Sequence, residues 1–322
     1  ISLAQEPDLV VVAPATANII AKMATGIADD LISTTLLATP QPIVIAPAMN
    51  NGMWKAPATQ ANMATLRERG VHVVGPGSGY LACGDVDTGR MSEPEDIVEA
   101  VCEVLKPVPQ DLAGKRVVIT AGPTHEPIDP VRFIGNRSSG KMGIALAGEA
   151  ARRGAAVKLV LGPTSLNVPR GVECVRVQTA AEMLQAALSA FQTADAAICA
   201  AAVADYTPAT PADHKLKKAN ERLDRIELVE TVDILAELSR QKGERCVIGF
   251  AAETDNVVEY AERKLARKGC DAIIANDVSR ADSGFGTDTN KAWIVSTTGT
   301  QELPVLTKPQ LADTILDLLQ NL

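Results

Sequence analysis

Chemistry-bearing residues in this chain collect in loops that follow aliphatic runs. The first loop is Pro14-Ala-Thr-Ala-Asn18, where Thr16, Ala17 and Asn18 open a helical stretch. Backbone N–H groups at such a start can hold an anion. The second is Pro47-Ala-Met-Asn-Asn-Gly-Met-Trp54. The Asn50 amide offers two donors and an acceptor, which suits a carboxylate or amide. The plainer reading is a helix-initiating turn with Met and Trp packing the core. The third stretch, Gly75 to Met91, carries five glycines in seventeen positions, with Cys83 among them and Arg90 close by. It reads as a flexible lid or a hairpin. A thiol on such a loop is more reactive than one in an apolar run; the alternative is a surface turn with an incidental thiol.

Further along, Gly135-Asn-Arg-Ser-Ser-Gly-Lys141 matches the first seven positions of a P-loop. Met142 then stands where the Mg²⁺-binding hydroxyl belongs, and the loop lies well beyond its strand, which argues against a true P-loop. The helix start at Ser138–Gly140 can still hold a phosphate. Cys199-Ala-Ala-Ala-Val-Ala-Asp205 leaves a buried strand with small residues that let a flat ring approach the backbone. Asp205 could bind a base edge or a metal, or it could simply cap a tightly packed strand end. Lys215, Lys217 and Lys218 make a local basic patch, able to neutralise a triphosphate if close to Asp205. Phe250 offers a stacking face after another strand. Lys264 and Lys268, spaced i, i+4, share one helix face.

These loops need a scaffold of strands and crossover helices. Residues 8–14, 42–47 and 71–75 read as buried strands, with 17–39 helical between the first two and 94–105 helical after them. A Pro-punctuated stretch, 106–114, separates two domains, 1–108 and 109–322. In the second, 115–121, 157–162, 172–177, 195–203, 245–250, 271–275 and 292–297 read as strands. Helices are expected over 140–153, 180–191, 232–240, 256–269 and 308–319. The alternation predicts an α/β protein of two doubly wound, Rossmann-like domains with mainly parallel sheets. Ligands then bind beyond the carboxyl ends of the strands, in the loops after Val12, Ile45, Thr120, Ala202 and Phe250.

The 322 residues are 46% hydrophobic, 22% charged and only 3% aromatic, so Ala-rich helices on aliphatic strands fit better than an aromatic β-sandwich. With 31 Lys and Arg against 39 Asp and Glu, the net charge of −8 disfavours a nucleic-acid surface. Six scattered cysteines with no CxxC pair, and only three histidines, leave little for a structural zinc site. Such cysteines are mostly small core residues of a reducing, cytoplasmic compartment. No apolar run is long enough for a membrane span. The opening residues resemble neither a signal peptide nor an initiator Met and read as an internal start, with part of the first domain preceding them.

Taken in order, Pro14–Asn18, Pro47–Trp54 and Ala82-Cys-Gly-Asp85 with Gly89-Arg-Met91 resemble motifs of the flavin-containing cysteine decarboxylases, phosphopantothenoylcysteine decarboxylase above all. The resemblance implies FMN, contacted by Thr16, Ala17 and Asn18, that oxidises the substrate thiol before CO2 leaves. Asn50 then grips the departing carboxylate and Cys83 is the lid thiol that protonates the product. The family's catalytic His belongs to a segment before residue 1, so this chain is not expected to decarboxylate, or to bind FMN, without that segment. Residues 112–322 resemble the phosphopantothenate–cysteine ligase family, specifically the bacterial form fused behind the decarboxylase. That resemblance implies CTP as co-substrate, an acyl-cytidylate of 4′-phosphopantothenate, and attack by the cysteine amine. Asn136 and Arg132 would stabilise the acyl-cytidylate, and Lys215 would neutralise charge. Cys199, Ala200, Ala201, Asp205, Val232, Asp233, Ile234, Leu235, Phe250, Lys264 and Lys268 would contact CTP, although the family commonly has Pro where Val232 stands. Mg²⁺ accompanies the triphosphate, with no protein ligands assigned. A homo-oligomer is implied, with a trimer-based decarboxylase and a dimerising ligase. A non-catalytic flavoprotein regulator is the competing class; an NAD-dependent oxidoreductase is disfavoured by the missing GxGxxG.

Overall fold

The computed structural model describes residues 2–80, 86–217, 225–280, 282–284 and 286–320. They divide into two compact units, Ile1–Pro107 and Val108–Leu322. Cys83 lies outside the described residues.

In the first unit, strands Val10–Ala15, Ile43–Pro47 and His72–Val73 form a parallel sheet in chain order. The helical stretch expected over 17–39 is two helices, Ala17–Thr25 and Leu31–Ala38. Gly26 stops the first by entering the left-handed region at φ 77°, where a side chain would be strained. Asp30 starts the second with a capping box to Ser33. Helix Pro57–Glu68 completes the core, in which Ile20, Ile45, Met63 and Leu66 are buried with Met49 and Trp54 packed against them. Strands Gly77–Tyr80 and Val86–Arg90 pair antiparallel, so the glycine-rich stretch is a hairpin.

The second unit is built on an eight-stranded sheet. Its order is Glu173–Arg176, Ala156–Leu161, Arg116–Ala121, Ala196–Cys199, Cys246–Glu253, Ala272–Asp277, Thr289–Ser296 and Gly299–Thr307. The first six strands run parallel; Thr289–Ser296 runs against them, and the edge strand Gly299–Thr307 pairs antiparallel with it. Helices Lys141–Arg152 and Lys308–Leu316 cover one face, burying Leu146, Ala147, Leu311 and Ile315. Helices Ala180–Phe191, Ile234–Arg240 and Val257–Lys268 cover the other, burying Met183, Leu238 and Leu265. This is the mainly parallel α/β arrangement that the strand–helix alternation predicts.

Two short antiparallel hairpins stand outside the sheet, His125–Pro127 with Phe133–Gly135 and Tyr206–Pro208 with Leu228–Glu230. The first fills the gap between strand 116–121 and helix 141–152. That insertion is why the Gly135–Lys141 motif starts a helix so far from its strand. Buried thiols serve as packing groups: burial pushes Cys246, in the sheet, up to about 12 and Cys270, just before a strand, up to about 11. Among the described residues, no helix is long and apolar enough to cross a membrane.

Candidate functional site

In the first unit, three sequence motifs meet at the carboxyl ends of the parallel strands. The Ala48 amide donates to Ala15 O at 3.0 Å, and the Met49 amide donates to Gly89 O at 3.0 Å. Gly89 is required at this junction, because a Cβ there would lie 2.3 Å from Met49 O. Asp87 accepts from Asn51 Nδ2 at 3.1 Å and from the Lys55 ammonium. Those bonds, Lys55 foremost, lower the Asp87 carboxyl to about 2. Thr16 caps helix Ala17–Thr25, so the first-turn amides of Ala17 and Asn18 precede any intrahelical partner. Asn50 caps the short helix Asn51–Lys55, its Oδ1 accepting from Gly52 N at 2.8 Å. The turn that packs Met49 and Trp54 and the amide beside the junction are therefore one feature. This is the helix-initiating turn of the plainer reading of residues 47–54.

In the second unit, a cleft of about 720 Å³ opens at the carboxyl ends of the sheet strands. Its walls come from the loops after Thr120, Cys199 and Phe250, as the topology requires. Of the sequence candidates, Asn136, Cys199, Ala200, Ala201, Asp205, Val232, Asp233, Ile234, Leu235, Phe250, Lys264 and Lys268 all line it. The Ala200 and Ala201 amides are taken by Thr120, through its carbonyl at 3.1 Å and its hydroxyl at 3.3 Å. Cys199, Ala200, Ala201 and half-buried Phe250 all border the cleft, Ala200 and Phe250 packing toward one sheet face and Cys199 and Ala201 toward the other.

Helix Val257–Lys268 positions two cations on one face. Lys264 Nζ donates to Phe250 O at 2.8 Å, fixing the strand end that carries the aromatic ring. Burial holds the Lys264 ammonium below its ordinary pKa. Lys268 pairs with Asp233, which also caps helix Ile234–Arg240 through Ala236 N at 2.8 Å. Burial alone would raise the Asp233 carboxyl, but the bond from Lys268 and the helix amide bring it below the usual range. Gly249 lets Leu235 pack closely over its strand: a Cβ there would strike Leu235 Cδ2 at 2.4 Å.

Asn136 ends the first hairpin and donates to Ala202 O at 3.2 Å and Val203 O at 3.0 Å. It thus joins the hairpin to the strand-end loop of Cys199–Val203. Arg132 and Lys215 do not line the cleft. The Arg132 guanidinium is bound by Asp129 and donates to Leu216 O at 2.9 Å, and Lys215 is exposed on the adjoining segment. Arg132 chiefly, with the amides of Val131, Arg132 and Leu216, holds the buried Asp129 carboxyl well below the usual carboxylate range.

Sequence reasoning assigned nothing to Lys308, which is 5% exposed and also lines the cleft. Its ammonium meets Thr287 O at 2.6 Å and Asn290 Oδ1 at 2.7 Å. Burial, then the charge of Lys141, brings it down to about 8. Lys141 itself donates to Gly286 O at 2.8 Å and Asp288 at 2.6 Å. Among the described residues, no three His, Cys, Asp or Glu side chains come together to hold a metal ion.

Two family models match the chain. A flavoprotein family covers residues 1–106, and the DNA/pantothenate metabolism flavoprotein C-terminal domain covers residues 112–322. The coenzyme A biosynthesis bifunctional protein CoaBC of Bacillus subtilis (strain 168) is 49% identical over 319 residues, 98% of this chain and 78% of that protein. The protein of the same name from Escherichia coli (strain K12) is 48% identical over 320 residues, 98% of this chain and 79% of that protein. Among solved structures, the C-terminal domain of a coenzyme A biosynthesis bifunctional protein CoaBC is similar with a TM-score of 0.56 and 45% identity. It covers 66% of this chain and 97% of that one.

Proposed function

This chain belongs to the family of coenzyme A biosynthesis bifunctional proteins, and from that membership we propose how it divides the family's ligase and decarboxylase activities between its units. Unit 108–322 carries the ligase and unit 1–107 carries residues of the decarboxylase.

In the ligase, a carboxylate at neutral pH is inert to an amine, so it is first activated. CTP transfers its cytidylyl group to the carboxylate of 4′-phosphopantothenate, releasing pyrophosphate. The cysteine amine then attacks the mixed anhydride and CMP leaves. The backbone of Cys199–Ala201 and the Phe250 ring contact CTP at the strand ends. Asp205 and the Val232–Leu235 turn border the nucleotide, while Lys264 and Lys268 supply charge. Asn136 presents its amide to the acyl-cytidylate. Lys215, supported by Arg132, neutralises the charge that develops on the phosphate. Mg²⁺ accompanies the triphosphate as its counter-ion.

In the decarboxylase, the donor set at residues 16–18, helix-start amides beside a hydroxyl and a carboxamide, fits the carbonyl and phosphate oxygens of FMN. FMN supplies an electron sink that side chains lack. Asn50 holds the substrate carboxylate, and Cys83 delivers a proton to the product. We place the protein in the cytoplasm as a homo-oligomer; exposed Leu31, Ile32 and Leu37 on one helix are in keeping with contact between copies.

The observation that carries the ligase reading is the single cleft into which Asn136, Asp205, Phe250, Lys264 and Lys268 all converge. Sustained pyrophosphate release should require CTP, 4′-phosphopantothenate and cysteine together, with about one equivalent per site released when cysteine is omitted, which a regulator would not show. Asn136→Asp and Lys215→Ala should each lower it by about 100-fold or more, the scale of losing one transition-state donor. Wild-type turnover in both variants would overturn the site.

A further inference from the structure

The turn at Ile128–Arg132 is joined to a segment far along the chain. Asp129 is 2% exposed, and its two carboxylate oxygens do different work. Oδ1 accepts the amides of Val131 at 2.9 Å and Arg132 at 2.8 Å, closing the turn locally. Oδ2 accepts Arg132 Nε at 3.0 Å, a second guanidinium nitrogen, and the Leu216 amide at 3.2 Å. The guanidinium then donates to Leu216 O at 2.9 Å. Both peptide groups of Leu216 are thereby bound, although this stretch belongs to no strand. The Leu216 amide is the peptide bond leaving Lys215. Four residues earlier, the Ala212 amide donates to Ile128 O at 2.9 Å, tying the segment a second time to the same turn.

We infer that Asp129 is a positioning residue of the ligase: through Oδ2 it fixes the Lys215 backbone and the Arg132 guanidinium as one unit, without itself touching substrate. This rests on the proposed part of Lys215 in ligation. The geometry supports it in three ways. The two partners of Oδ2, the Arg132 guanidinium and the Leu216 amide, come from opposite ends of the arrangement, so one atom sets their separation. The carboxylate satisfies a guanidinium that would otherwise compete for anionic substrate at an uncontrolled position. And the turn belongs to the hairpin that ends at Asn136, so Asn136 and the Lys215 segment share one support.

Asp129→Asn separates the two jobs. Its Oδ1 still accepts the turn amides, while its Nδ2 sets a donor against the donors of Arg132 and Leu216. Hydrogen–deuterium exchange should show the Leu216 amide protected in the wild type and unprotected in the variant, with unfolding still cooperative. The kcat for pyrophosphate release should fall about 10- to 100-fold, the scale of an ångström of misplacement, with KM for CTP changed less than about twofold. In a Lys215→Ala background, Asp129→Asn should add almost nothing, because the two act as one unit. Equal losses in both backgrounds, or a Leu216 amide equally protected in both proteins, would overturn the inference. Absence of CTP-dependent pyrophosphate release from the wild type would instead overturn the ligase reading, leaving the exchange result to decide the anchor. Should Asp129→Asn not fold, Asp129→Ser, whose hydroxyl can still accept a turn amide, carries the same comparison.

Discussion

Gly162 lines no part of the cleft, yet its replacement by alanine should impair ligation. A Cβ at Gly162 would sit 1.9 Å from the carbonyl oxygen of Pro123 and 3.4 Å from Met183 Cε. Ordinary contact begins at 3.4 Å, so the methyl is tolerable on the Met183 side and the Pro123 carbonyl must withdraw by well over an ångström. Pro123 cannot move alone. It bridges to Ala202, and the next residue, Thr124, donates to Ala202 O at 3.4 Å and accepts from Ala204 N at 3.0 Å. Displacing it pulls the first hairpin off the strand end that Asn136 also holds. Overpacking of this kind costs about 1–3 kcal/mol. In a unit of this size each kcal/mol lowers Tm by roughly 2–4 °C. The rate of pyrophosphate release should fall by up to about 100-fold. Gly148→Ala is the matched control: its Cβ meets Pro169 Cγ at an ordinary 3.5 Å, and the exchange should stabilise helix 141–152 by about 1 kcal/mol. Thermal unfolding and the pyrophosphate assay on both variants decide the matter. A Gly162→Ala protein that melts and turns over like the wild type would refute the coupling between this packing contact and the site.

Arg153 is 1% exposed and joins Asp111 to Asp313 and Asp317, so Arg153→Ala should cost about 3 kcal/mol in urea unfolding, near the low end for breaking a buried pair. Arg153 above all lowers the Asp111 carboxyl, so its contribution is complete above about pH 4 and is lost as pH falls toward the folded-state value; the variant should show a flatter acid limb. In the first unit, Gly89→Ala must clear the Met49 carbonyl from a backbone φ of 142°, which should destabilise that unit by about 1–3 kcal/mol in thermal unfolding while pyrophosphate release stays at the wild-type rate.

What the sequence made legible follows from which physical signal each element carries. Strands 116–121, 156–161, 196–199 and 246–253 are buried on both sides, so their aliphatic runs announce them. Strand Gly299–Thr307 escaped notice because it is an edge strand with mostly exposed residues and a proline at 304, a pattern that resembles loop. The hairpins at 125–135 and 206–230 escaped for a related reason: their strands are three residues long and lie outside the main sheet. The helical stretch expected over 17–39 is divided at Gly26, a stop signal that the alanine content around it masks in the sequence. For the site, the carboxyl-end rule points to the strand-end loop that carries Asp205, whereas Lys264 and Lys268 were legible through their i, i+4 spacing and Asn136 only through the family resemblance; all four line the cleft. Asp129 and Lys308 needed coordinates. The Asp129 partner lies 87 residues away, and Lys308 opens a C-terminal helix whose sequence resembles any capped amphipathic segment.

The charge distribution gives these loops a common purpose. The chain as a whole has more acids than bases, 39 against 31, but the cleft reverses that balance, with Lys141, Lys264, Arg267, Lys268 and Lys308 against Asp205, Glu230 and Asp233. An acidic exterior around a basic cleft focuses anions inward. The lysines are prepared in two ways. Lys141 is paired with Asp288, whose side chain is 88% exposed, and a pair so wet is worth little, so an incoming phosphate can take the ammonium at small loss. Lys308 is the opposite case: carbonyl oxygens and Asn290 hold it in place, and with its pKa near 8 it stays charged at neutral pH without being able to leave. On the proposed ligase reading, the cleft therefore offers an anion one held charge, Lys308, and one exchangeable charge, Lys141.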